Sequence, residues 1–262
     1  MLHPDAALAS SAVVLRHNVC ALAVMCKAPR AGRVKTRLSP PLTLEQAADL
    51  NICFLKDTAE NIGAVIEQEH AAGIVCYTPV GDEAALDGLL PQNFSLLPQR
   101  GDGFGERLLC AVQDLLACGF GSLCLIDSDS PTLPTAALHA AVRALQRPGD
   151  RVVLGGSQDG GYYLIGLKQA HARVFEDITW STGHVLAQTI ERAVEIALPV
   201  ELLATWYDVD DAATLAQLKA ELLDDERIST VEAGYAAPNT CAYLRKLEGV
   251  AAAEQEALQV AL

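Results

Sequence analysis

Residues 19–39 read VCALAVMCKAPRAGRVKTRLS, an apolar run followed at once by a loop with five basic residues, Lys27, Arg30, Arg33, Lys35 and Arg37. The run 19–26 has the length and unbroken apolarity of a strand buried on both faces, as in parallel sheets. The loop carries five of the chain's 19 Lys and Arg, and no Asp or Glu occurs from Ala6 to Leu44, although the formal charge of the chain is -14. Positive charge is therefore concentrated at the end of one strand in an acidic protein. That arrangement suits a small polyanion such as a nucleotide diphosphate and excludes nucleic acid, which takes a broad basic face. All five side chains are candidate phosphate contacts through charge and forked hydrogen bonds, and Gly32 lets the backbone approach closely. Five cannot face one ligand, so Lys27, Arg33 and Lys35 are expected to do so and Arg37 to anchor the loop.

Working outward, strands and helices alternate, the pattern of an α/β protein with a mostly parallel sheet covered on both faces. Thr43 with Gln46 three residues on is a capping box that opens a long helix. Strands are expected at 73–77 and 94–97, with a short helix after Asp82 between them. GDGFGERL, residues 101–108, leads into a helix to about residue 117, and a strand at 122–126 follows. An acidic turn at 127–134 comes next, with Thr135 capping a helix to about 145. Strands at 152–155 and 162–167 flank Ser157–Gly161, whose glycines permit a tight reversal, so this pair is expected to be antiparallel. Ser181 or Thr182 is expected to cap a helix to 196, a strand to follow at 198–202, and Asp211 to cap a helix to about 223. The economical division is an N-terminal extension, 1–18, a nucleotide-binding domain, 19–223, and an appended helical segment, 224–262.

With 262 residues, 51% hydrophobic and 20% charged, the chain is ordinary for a globular protein. No stretch reaches the eighteen or so apolar residues that span a bilayer, and the N-terminus lacks a basic start before a long apolar centre, so a cytoplasmic protein is expected. The eight cysteines, Cys20, Cys26, Cys53, Cys76, Cys110, Cys118, Cys124 and Cys241, sit mostly in apolar segments without C-x-x-C pairs and read as buried free thiols.

Residues 123–134, LCLIDSDSPTLP, carry the second chemical signal. An apolar strand ends in Asp127-Ser128-Asp129, where parallel sheets bind ligands. Hard oxygen ligands there suit Mg²⁺ or Mn²⁺ bridging to a diphosphate; the alternative is that both aspartates only make turn hydrogen bonds. Of the later acids Asp208, Asp210 and Asp211, the last reads as a helix cap and Asp210 as a metal ligand facing Asp129. Gly103 and Arg107 bring backbone amides and a guanidinium to a helix start, a natural nucleotide site. Asp159, beside Gly160, Gly161 and Tyr162, is placed to receive an acceptor hydroxyl or act as base, and Trp180 and Ser181 to contact the acceptor. No G-x-S-x-G or Walker phosphate loop is present, and His171 and His184 read as structural.

The motifs KAPRAGRVKTRL, GDGFGERL, IDSDSPTLP, QDGGYYLIGL, WST and WYDVDD, in that order over about residues 20–218, resemble a bacterial family of the GT-A glycosyltransferase superfamily. It is known as radical-SAM/selenodomain-associated transferases or arsenosugar-biosynthesis-type glycosyltransferases. The resemblance implies a GT-A sheet, a nucleotide sugar as donor, a small-molecule acceptor, and a divalent metal on an Asp-x-Asp motif, here Asp127 and Asp129. The family pattern carries Gly where this chain has Asp127 and Thr where it has Asp211, which leaves Asp129 the firmer ligand. KTRL also resembles the Lys-Ser-Arg-Leu stretch of 2-phospho-L-lactate guanylyltransferase. The expectation is thus a metal-dependent GT-A glycosyltransferase with Asp129 and Asp159 as catalytic residues. The alternatives are a nucleotidylyltransferase releasing pyrophosphate, or a nucleotide-binding protein without turnover.

Overall fold

A computed structural model describes residues 1–2, 16–224 and 233–260. Most of the expected N-terminal extension and the acidic stretch at 225–232 lie outside the described residues. Seven strands, β1 (Cys20–Lys27), β2 (Ala71–Thr78), β3 (Ser95–Pro98), β4 (Ser122–Ile126), β5 (Val152–Ser157), β6 (Tyr162–Leu167) and β7 (Val200–Trp206), form one sheet in the order β3-β2-β1-β4-β6-β5-β7. Strands β1 to β4 are mutually parallel, while β6 runs antiparallel to both β4 and β5. The expected reversal at Ser157–Gly161 is therefore present, with a bulge at Gly155/Gly156.

The apolar run forms β1, an inner strand of the sheet flanked by β2 and β4, and its alternate residues divide the core in two. Cys20, Leu22 and Val24 pack on one face with Leu50, Phe54 and Ile62 of α1 (Leu44–Ile66) and Leu138 and Val142 of α3 (Thr135–Gln146). Ala21 and Ala23 pack on the other face with Leu108, Val112 and Leu115 of α2 (Phe104–Ala117) and Ala193 of α4 (Val185–Glu195). The small alanines let α2 approach this face closely. Helix α5 (Ala212–Leu223) contributes Leu215 and Leu218 to the α1 side.

The last helix, α6 (Pro238–Val260), is joined to this core through a buried carboxylate. Asp57 of α1 is fully buried and accepts from the Asn239 and Thr240 backbone amides and from Asn239 Nδ2, at 2.7–2.9 Å. These bonds satisfy amides at the start of α6 that its own helix leaves unpaired.

Three expectations about local structure are corrected. Thr135 does not cap α3: its hydroxyl donates to Asn61 Oδ1 at 2.6 Å, and Pro134 precedes the helix with no side-chain cap. Neither Ser181 nor Thr182 caps α4, which starts after His184; Ser181 has φ +62° and the Thr182 hydroxyl donates to the Thr179 carbonyl at 2.7 Å. β7 begins two residues later than expected and runs on to Trp206, because Leu198 is packed in the core ahead of the strand. The Thr43–Gln46 box and the Asp211 cap are both present. Among the described residues all eight cysteines are free, six of them buried, and no helix is long and apolar enough to cross a membrane.

Candidate functional site

The carboxyl ends of β1, β2 and β4 open into a cleft of about 370 Å³. Lys27, Arg33, Lys35, Arg37 and Arg107 line it together with Asp129 and Asp210, so the early basic loop and the two later acidic turns meet in one place. Position follows from topology: β1 delivers the loop, and its neighbour β4 delivers Asp129 three residues past the strand end. The Val209 amide donates to the Asp129 carbonyl at 2.9 Å and sets Asp210 opposite.

Lys35 is the centre of this arrangement and differs from its expected role. It sits at φ +48° just before a single turn of 3₁₀ helix, residues 36–38, which turns the side chain inward; only 4% of that side chain is exposed. Its Nζ donates to Asp129 Oδ1 at 2.7 Å, Asp210 Oδ1 at 2.9 Å and the Val209 carbonyl at 2.7 Å, and lies 5.6 Å above the Phe54 ring. An ammonium has three protons, and all are used. Desolvation alone would lower its pKa; the charges of Asp129 and then Asp210, with their hydrogen bonds, outweigh this and hold it above the usual lysine range. Lys35 is therefore a buried tie between the two aspartates. Burial, and then the charge of Asp129, push the neighbouring Cys26 thiol up to about 12, so it is inert at neutral pH.

The remaining basic residues divide. Lys27 and Arg33 are exposed at the cleft, and Arg107 of α2 joins them. Arg37 is 70% exposed and reaches Asp210 Oδ2 only at 3.7 Å, so it anchors the loop weakly. Arg30 is paired with Asp82 at the mouth of an adjoining cavity, which Lys27, Arg33 and Arg107 also line. Gly32 has φ +72°, the left-handed conformation that glycine permits. The amides of Asp102 and Gly103 are not open to an anion, since they donate to Glu106 Oε2 at 2.8 and 3.5 Å. Of that motif, Phe104 and Arg107 line the cleft.

The acidic residues divide as well. Asp127 is not among the cleft residues; its Oδ2 accepts from Ser130 Oγ at 2.9 Å and its Oδ1 faces the Asp129 amide at 3.3 Å. Desolvation, and then the charge of Asp129, push its carboxyl well above the usual range, and both its oxygens are engaged in the turn's own bonds. Asp208 accepts from Ser157 Oγ at 2.6 Å, and Asp211 caps α5 through Ala213 N and Thr214 N. Among the described residues no three carboxylate, thiolate or imidazole groups come together as a metal cage. Asp129 and Asp210 each keep a second oxygen that Lys35 does not take. That donor set fits Mg²⁺ or Mn²⁺ held by one or two carboxylates and completed by a ligand's phosphates.

The expected acceptor residues form a separate unit on the β5–β6 turn. Asp159 is exposed and its Oδ1 accepts from the Gly161 amide at 2.8 Å. Gly160 has φ +89°, and a Cβ there would meet the Gly183 carbonyl, so glycine is required where the turn packs on the 180–184 loop. The Tyr162 hydroxyl is buried beside Thr189 of α4, its pKa raised by desolvation, and so is not offered to an acceptor. Trp180 packs edge-on to Phe104 at 5.2 Å between ring centroids and reaches the cleft rim only through that ring. Ser181 is exposed.

Sequence reasoning missed Gln99, Thr78, Phe104 and Asn51, which also line the cleft. Gln99 Nε2 donates to the Cys76 and Cys26 carbonyls at 2.7 and 3.2 Å, leaving its Oε1 as the group it can offer. Its place two residues before GDGFGERL was the available signal.

Comparison with known proteins agrees with this architecture. Residues 59–182 match the model of a family described as uncharacterized protein conserved in bacteria, DUF2064. No curated protein matches. A crystal structure of a candidate nucleotide-diphospho-sugar transferase from Desulfovibrio desulfuricans G20 is 29% identical, with a TM-score of 0.73 over 88% of this chain and 96% of that one. CMP:2-keto-3-deoxy-manno-octonic acid synthetase complexed with CTP is 11% identical, with a TM-score of 0.51 over 79% of this chain and 100% of that one. 4-Diphosphocytidyl-2C-methyl-D-erythritol synthase from Anaerococcus prevotii is 10% identical, with a TM-score of 0.53 over 81% and 99%. The expected fold is thus the observed one, that of the nucleotide-diphospho-sugar transferases.

Proposed function

We propose that this protein is a GT-A-type transferase that binds a nucleoside-diphosphate sugar and passes the sugar to a small acceptor. The observation that carries the reading is the single cleft in which free cations, Lys27, Arg33 and Arg107, face the Lys35-tied carboxylates of Asp129 and Asp210. The 29% identity to a candidate nucleotide-diphospho-sugar transferase supports it. Lys27, Arg33 and Arg107 hold the diphosphate and stabilise the charge that grows on it as the bond to the sugar breaks. Phe104, 48% exposed at the rim, offers the nucleoside an apolar ring. Asp129 and Asp210 would hold Mg²⁺ or Mn²⁺, which when bound neutralises diphosphate charge.

Chemistry needs a bond from the acceptor oxygen to the anomeric carbon, departure of the nucleoside diphosphate with the electrons of the broken bond, and removal of the acceptor proton. In this reading Asp159 takes that proton through the oxygen its turn leaves unused. The test is incubation with a panel of sugar nucleotides and Mg²⁺ or Mn²⁺, reading nucleoside diphosphate release and metal-dependent thermal stabilisation.

One observation favours a second reading, nucleotidyl transfer. The adjoining cavity lined by Lys27, Arg30, Arg33 and Arg107 extends the cationic surface by the room a third phosphate needs. Pyrophosphate release from a nucleoside triphosphate, without turnover of sugar nucleotides, would establish that reading over the first.

A further inference from the structure

Asn51 lies in the second turn of α1 and lines the cleft with Lys35, Asp129 and Asp210, yet its residue is only 7% exposed. Its carboxamide has two protons to donate and an oxygen to accept with. Among the described residues no group bonds to it, and its carboxamide is not sealed in the interior but open to the cleft. Other buried polar side chains of α1 are accounted for differently. Asp57 accepts from the start of α6, and Asn61 donates to the Leu133 carbonyl and accepts from Thr135. Thr58 has an unbonded hydroxyl, but one sealed inside the core. Asn51 alone of these opens on the cleft. It stands one turn before Phe54, the ring beneath the Lys35 ammonium, and so on the helix face turned to the charged knot.

An amide open on the cleft has only water to bond to, and a ligand that displaces that water keeps its affinity only if it supplies bonds of the same kind. The ligand group it suits is neutral, because the cations of the cleft already serve the phosphates and a carboxamide both donates and accepts. Hydroxyls do the same. We propose that Asn51 binds the hydroxyls of the donor sugar while Lys27, Arg33 and Arg107 hold the diphosphate. The inference rests on the nucleotide-sugar reading of the cleft and names the residue that recognises the transferred group.

The experiment measures binding of pyrophosphate, a nucleoside diphosphate and its sugar nucleotide by calorimetry on the full chain. UDP with UDP-glucose and GDP with GDP-mannose are the two pairs, compared in wild type, Asn51→Leu and Asn51→Ala, with thermal midpoints alongside. The sugar nucleotide should bind about tenfold more weakly to both variants, with pyrophosphate and nucleoside diphosphate unchanged. The midpoint should stay level in Asn51→Leu, since no protein hydrogen bond is lost. Should the leucine variant fail to fold, Asn51→Ala, which leaves room for water, carries the test. Unchanged sugar-nucleotide affinity, or a fall in midpoint with equal losses for all three probes, would overturn the proposal. A loss already complete with the nucleoside diphosphate would also overturn it, and would put Asn51 on the ribose. If wild type binds pyrophosphate but no sugar nucleotide, the failure lies in the functional reading, and the proposal falls with it.

Discussion

At the β1–β4 end of the sheet's edge a buried lysine holds two aspartates, whereas at the β5–β6 end Asp159 stands in solvent with its own turn's amide as partner. The first region is fixed by partners 94 and 175 residues away in the chain, counting from Lys35 to Asp129 and to Asp210. The second is held by local bonds and by glycine packing of two turns. Such a difference teaches which half of the site is pre-formed. The charged knot is cross-tied, and the side that the proposed reading assigns to the acceptor is left open.

The largest expected effect breaks the tie itself. Lys35→Met leaves the carboxylates of Asp129 and Asp210 facing each other with only the exposed Arg37, 3.7 Å from Asp210, as a cation. Removing one partner of a buried ion pair costs several kcal/mol, and the 35–40% exposure of these carboxylates places the cost at the low end, about 3 kcal/mol in denaturant unfolding. Nucleotide binding should be lost with it. A variant of full stability would show that the tie is incidental to the fold of the edge.

The open side should respond in the opposite manner. Asp159→Asn keeps an oxygen for the Gly161 amide, so stability and sugar-nucleotide affinity should hold while turnover falls about a hundredfold, as for loss of a positioned base. Equal turnover in wild type and variant would remove Asp159 from the chemistry and leave it a turn residue.

Between these extremes lies Arg33→Ala, an exposed cation not tied to a protein carboxylate. Diphosphate affinity should drop about tenfold, as for the loss of one charge-assisted contact, and the remaining binding should be less sensitive to salt. The unfolding midpoint should not change. A midpoint that falls as far as in Lys35→Met would make Arg33 part of the fold and erase the distinction between tied and free cations.

How far this site was legible follows from the range of the forces involved. The Thr43–Gln46 box and the Asp211 cap were readable because donor and acceptor lie within four residues. Strand β1 was readable because burial on both faces leaves an unbroken apolar run. That Lys35 turns inward while Lys27 and Arg33 stay out was not, since it depends on a positive φ and on acids brought in by distant strands. Asp127 and Asp129 look alike in sequence; two residues of displacement past β4 put the first into the turn and the second into the cleft. Asn51 was hidden for another reason: one polar residue among the apolar positions of α1 reads as noise until the cleft is seen beside it.

The smallest effect supplies the reference that both regions need, a carboxylate remote from the edge. Glu69, just past α1, accepts from His139 Nδ1 at 3.0 Å and Arg143 Nε at 2.8 Å on α3. Desolvation would raise its pKa, but these bonds and the Arg143 charge prevail and hold the carboxyl below the usual glutamate range. A depressed carboxyl stabilises the fold fully above the unfolded value near 4.5, and that contribution is lost as pH falls through the lower folded value. Glu69→Gln should therefore cost about 1 kcal/mol at neutral pH, the upper range for a pair with an exposed arginine, and nothing below the depressed value. Acid unfolding of wild type and Glu69→Gln, with nucleotide binding measured alongside, separates acid sensitivity of the scaffold from that of the cleft. If the two proteins lose stability in parallel over the whole acid range, Glu69 is not the scaffold's acid-sensitive tie.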